Sequence, residues 1–117
     1  MFEKILIGLV AIEHLYILWI EMFAWNTLGK KTFKSIPEDI FDKTKGLAAN
    51  QGLYNGFLAA GLLWGILEKN PVYSMKISLF FLSCVSIAGI YGAVSADKKI
   101  FFKQGLPALI TILLLIF

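Results

Sequence analysis

The sequence predicts an all-α fold: a polytopic integral membrane bundle of four helices, with a short interfacial helix in its first loop. Three observations carry this reading. Of 117 residues, 58% are hydrophobic and only 16% are charged, where a soluble domain would carry roughly a quarter charged residues. Mean hydropathy is +0.75. The apolar residues fall in four long blocks, at 5–25, 47–67, 75–96 and 101–117. A helix needs about 20 mainly apolar residues to cross a hydrocarbon core of roughly 30 Å; the last block is short and sits shallow or untilted. One loop of moderate length and two very short ones remain. The chain therefore reads as a single transmembrane domain over 1–117, with no room for a soluble one.

The first block differs from a secretory signal, which has an uninterrupted apolar stretch and a small-residue cleavage site. Glu13, His14 and Glu21 interrupt it and no such site follows, so it reads as a retained helix. At about 100° per residue, His14, Glu21 and Trp25 fall within a stripe roughly 40° wide, and Glu13 lies about 80° from Glu21. All four can face one interior. The first loop places Ser35 three residues before Glu38, the spacing of a capping box. Phe33, Ile36, Ile40 and Phe41 recur at helical spacing, as in a short helix lying in the interface. A simple solvated loop is the alternative.

On the second block, Asn50, Gln51, Tyr54 and Asn55 span an arc of about 140°, which Gly61 and Gly65 continue. Gly52, Gly56 and Ala60 form an opposite ridge, a small-xxx-small surface suited to close helix contact. Ala88, Gly89, Gly92 and Ala93 suggest the same on the third block. Cys84, the single cysteine, reads as a small hydrophobe that can form no internal disulfide. Pro107 suits the first turn of the last helix. Beyond Thr111 the tail is wholly apolar and faces lipid or a second copy, so a homodimer is compatible with it.

Orientation follows from the lysines, which supply all eleven basic residues. Lys30, Lys31, Lys34, Lys43 and Lys45 lie in the first loop, and Lys98, Lys99 and Lys103 in the third. Lys4, Lys69 and Lys76 lie on the other side. That asymmetry predicts a multi-pass protein of the cell membrane with both termini outside. The net charge of +3 is explained by topology and anionic lipid, and points to the bilayer rather than nucleic acid as partner. Antiparallel helices then bring Glu21, Asn50, Gln51, Tyr91 and Gln104 to one level, in the cytoplasmic half. Glu13, His14, Tyr54 and Asn55 lie deeper.

Several runs also resemble a known family: Glu13-His14, Glu21-Met22-Phe23-x-Trp25, Asn50-Gln51-Gly52-x-Tyr54-Asn55-Gly56-Phe57-Leu58-Ala59, Gly89-x-Tyr91-Gly92 and Gln104-x-x-Pro107-Ala108. They are similar to a small bacterial membrane family known as a domain of unknown function, number thirteen-oh-four. The resemblance spans essentially the whole chain. It implies a four-helix membrane protein and supplies no activity, cofactor or substrate.

The residues themselves suggest a use. Ionisable groups inside a bilayer cost several kcal/mol and often mark function. The favoured reading is a polar-lined site for a lipophilic small molecule, formed by Glu13, His14, Glu21, Trp25, Asn50, Gln51, Tyr54, Asn55, Tyr91 and Gln104. Burial favours the neutral forms of carboxyl and imidazole groups, so such a set can exchange protons. Whether it is catalytic is left open. The aromatic residues would also suit a cationic ligand. A second reading is a small proton-coupled transporter acting as an oligomer, similar in outline to the small multidrug-resistance exporters, with Glu13 at the corresponding depth. The Glu13-His14 pair, Glu21 and the Asn-Gln cluster depart from that pattern. A third is an interhelical hydrogen-bond network that only locks the bundle. One histidine and no paired Glu-x-x-His argue against a metal centre.

Overall fold

A computed structural model describes residues 1–117. The fold is all-α, with no strand. It contains α1 (Phe2–Phe23), α2 (Lys30–Thr32), α3 (Glu38–Lys43), α4 (Lys45–Leu67), α5 (Pro71–Ser95) and α6 (Leu106–Ile116). Two π-helical segments, Trp25–Gly29 and Phe101–Gly105, run into α2 and α6. Four spanning segments are expected from the sequence; α1 and α5 meet both requirements of length and apolar character. The apolar stretch Phe101–Ile116 is shorter. Although α4 has 23 residues, its glycines and amides dilute its apolar character.

The helix ends have local causes. Asn70 caps α5 by accepting hydrogen bonds from the backbone N–H of Val72 and Tyr73, at 3.0 and 3.2 Å. Pro71 follows in the first turn, where its missing N–H costs nothing. This cap starts the helix four residues before the apolar block at 75. The capping box expected from Ser35 and Glu38 does not form. Pro37 occupies the cap position of α3, and no side chain caps the helix. The proline fixes the turn that the serine was expected to make, and Glu38 becomes the first helical residue. The helix itself, expected in this loop, is present.

The chain divides into two compact units, one of residues 1–12 with 58–117, the other of 13–57. The first has a dry core of Ile7, Val10, Ala11, Leu62, Leu82, Val85 and Ala108. Glycines set its helix contacts. A Cβ on Gly61 would overlap the ring of Phe81, and one on Gly65 would overlap the Ser78 hydroxyl. At Gly89 the α5 backbone meets the π-helical segment directly. A Cβ there would lie 2.5 Å from the Gly105 nitrogen and 2.6 Å from its Cα. Gly61 and Gly65, expected to continue the polar arc of α4, therefore receive α5.

In the second unit, α4 lies against α1 along the Gly52–Gly56 ridge that the sequence marks for close contact. A Cβ on Gly52 would come within 2.7 Å of Met22 Cγ and 3.1 Å of Glu21 Cβ. One on Gly56 would meet Leu18 Cδ1 at 2.6 Å. Without side chains at these positions α4 can come close enough for a polar contact between Asn55 and Glu21.

Candidate functional site

The polar centre of the 13–57 unit is a pair. Asn55 Nδ2 donates to Glu21 Oε1 at 2.6 Å. Asn55 is three residues beyond Gly52, on the face that meets α1, and is 7% exposed. Glu21 is half-buried. The close glycine ridge brings the short Asn side chain within reach of the carboxylate. The bond is charge-assisted when Glu21 is ionised, but the donor is an amide and leaves the charge uncompensated. Oε2 remains for another partner.

Two turns earlier on α1, His14 is 1% exposed, on the same stripe as Glu21. Glu13 is half-buried with Oε1 shielded from solvent. Glu13, His14 and Gln104 are each engaged within the fold. Thus α1 carries two acids and the single histidine over about nine residues, a rise of roughly 12 Å.

The remaining sequence candidates lie elsewhere. Asn50 is exposed and its amide donates to the Gly46 carbonyl of its own helix at 2.9 Å. Gln51 is exposed too. Tyr54 is 62% exposed, edge-on to Phe57 at 5.8 Å, and Tyr91 is 71% exposed. The expected arc of Asn50, Gln51, Tyr54 and Asn55 is therefore divided. Asn55 turns toward α1, while the other three look outward, because Gly52, Asn55 and Gly56 define the contact face. Ala60, expected to extend the packing ridge, is exposed.

Trp25 anchors the segment after α1. Its ring stands 4.8 Å from Phe41 and 5.5 Å from Phe33. Its indole Nε1 donates to Thr44 Oγ1 at 3.2 Å, and that hydroxyl donates onward to the Ile40 carbonyl at 2.8 Å. Phe41 is fully buried. Asn26 Nδ2 ties the same segment to Asp42 at 2.9 Å. The π-helical turn makes this possible, with the Gly29 N–H reaching the Ala24 carbonyl five residues back at 2.8 Å. Such wide turns occur often at functional sites. Sequence reading found Trp25 but not Thr44, whose role is visible only once the loop is folded. No three His, Cys, Asp or Glu side chains group as metal ligands.

A family model described as "Protein of unknown function (DUF1304)" matches residues 8–116. The chain is similar to the uncharacterized protein YpaA of Lactococcus lactis subsp. lactis (strain IL1403), with 28% identity over 107 residues, covering 90% of this chain and 88% of the relative. No solved structure matches.

Proposed function

The chain belongs to the DUF1304 family, and from that premise we propose that it is a multi-pass membrane protein that binds a lipophilic small molecule at the Glu21–Asn55 pair. The observation that carries this is the half-buried carboxylate held by an amide at 2.6 Å. No lysine or arginine occurs from Ile5 to Gly29, the stretch that carries Glu21. A bundle lock can be made from neutral amides, each bond contributing around 0.6 kcal/mol, and it has no need of acids.

Glu21 is reachable from outside the fold, and Oε2 offers an acceptor to a ligand hydroxyl or amine. Gln51 and Tyr54, exposed on α4, supply polar and aromatic surface for such a ligand to cross. His14 and Glu13, deeper on α1, form the proton-exchanging part of the site. The lysine-rich first and third loops face the cytoplasm in this reading, with both termini outside, so the site lies in the cytoplasmic half.

Native mass spectrometry of gently extracted protein tests the proposal. Wild-type protein is expected to carry an organic adduct, and Glu21→Gln to reduce its occupancy by about tenfold, the loss of roughly one charge-assisted hydrogen bond. Circular dichroism should show unchanged helix content. A wild-type spectrum of bare protein would overturn the reading.

A further inference from the structure

Away from Glu21, the 1–12 and 58–117 unit contains a cavity of about 260 Å³ where the start of α1, the α4–α5 turn and the end of α6 meet. Its lining is graded. Glu3 and Glu68 bring two carboxylates beside Lys4 and Lys69, the Met1 ammonium stands by Glu3 as a third cation, and Ile7, Met75 and Leu115 form an apolar part. Ser78, 2% exposed, also borders it. The volume is below the roughly 300–1,000 Å³ of pockets that enclose a drug-sized ligand. It suits a head group whose remainder extends elsewhere.

We propose that this cavity binds the phosphoethanolamine head group of a membrane phospholipid. The inference rests on the membrane-spanning part of the proposed function, which places this end of the helices at a bilayer surface. Lys4 and Lys69 would hold the phosphate, in charge-assisted bonds favoured over neutral ones. Glu3 and Glu68 would receive the ammonium, which donates hydrogen bonds. Ile7, Met75 and Leu115 would meet the start of the acyl region. Each carboxylate retains capacity for this. Glu3 Oε2 lies 3.4 Å from the Met1 ammonium, and Glu68 Oε1 accepts from the Asn70 N–H at 3.3 Å, which leaves an oxygen on each. A phosphoglycerol head lacks the cation that two glutamates select. A phosphocholine head has a cation without N–H donors.

The test uses the full chain in nanodiscs of equal parts phosphatidylethanolamine, phosphatidylcholine and phosphatidylglycerol, with bound lipid read by native mass spectrometry. Retained phosphatidylethanolamine should exceed each of the others by about tenfold. Lys4→Gln/Lys69→Gln should lower the retained amount of all three lipids, whose phosphate they share, while nanodisc insertion and helix content stay unchanged. Glu3→Gln/Glu68→Gln should instead shift retention toward phosphatidylglycerol. Excess inorganic phosphate should leave the bound lipid in place; its displacement by phosphate alone would overturn the assignment to lipid. Equal retention of all three lipids by inserted protein would overturn this site and leave the membrane reading standing. Failure to insert would overturn both.

Discussion

Replacing Gly89 with leucine is expected to destabilise the protein by about 3 kcal/mol, the upper part of the usual range for overpacking. The reason is geometric. The first atom of any side chain at this position would sit 2.5 Å from the Gly105 nitrogen and 2.6 Å from its Cα. Backbone cannot change rotamer to make room, so α5 and the π-helical segment must separate. Gly89→Ala should already lower the thermal midpoint. Gly46→Ala is the control, since nothing lies within 4 Å of a Cβ there. Its effect should be neutral or favourable by about 0.5 kcal/mol, through helix propensity. Thermal unfolding of the purified variants reads both. Equal midpoints for Gly89→Leu and wild type would contradict the crossing.

Phe41→Ala should cost about 3 kcal/mol, as expected for removal of a fully buried phenylalanine. It removes the ring 4.8 Å from Trp25 and opens a void beneath the 24–44 segment. Trp25 should then become mobile and wet. In a Trp19→Phe/Trp64→Phe background, which leaves Trp25 as the only reporter, its emission should shift to the red. Unshifted emission with unchanged stability would show that the aromatic cluster does not hold the segment.

Helix positions, helix boundaries and polar contacts were unequally legible in the sequence. Helix positions follow from long apolar blocks, since backbone groups in an apolar surrounding must be satisfied within the helix. Boundaries were less clear because they depend on single caps. The Asn70-Pro71 pair signals a helix start, but a reading by apolar blocks begins the helix at 75. The π-helical turns have no sequence period of their own, so Trp25 reads as the end of the first helix, although α1 ends at Phe23. The small-residue ridge at Gly52 and Gly56 was legible because close helix approach has few other solutions. That ridge then decides the polar residues. An arc of about 140° is wider than one helix contact, so Asn55 could turn inward while Asn50, Gln51 and Tyr54 turn outward. Glu21 was legible as an acid without a cation. That its partner is Asn55 required the fold.

The stability of Glu21→Met/Asn55→Leu tests most directly whether this pair serves a function rather than the fold. Asn55→Leu alone leaves the carboxylate without its donor and should cost about 1–3 kcal/mol. Apolar replacement of both partners removes that penalty, as for other buried polar pairs. If the pair serves a ligand, the double variant should unfold at a free energy equal to or above that of wild type, well above Asn55→Leu alone. A double variant less stable than wild type by about 1 kcal/mol or more would contradict the account and identify Glu21–Asn55 as a lock between α1 and α4.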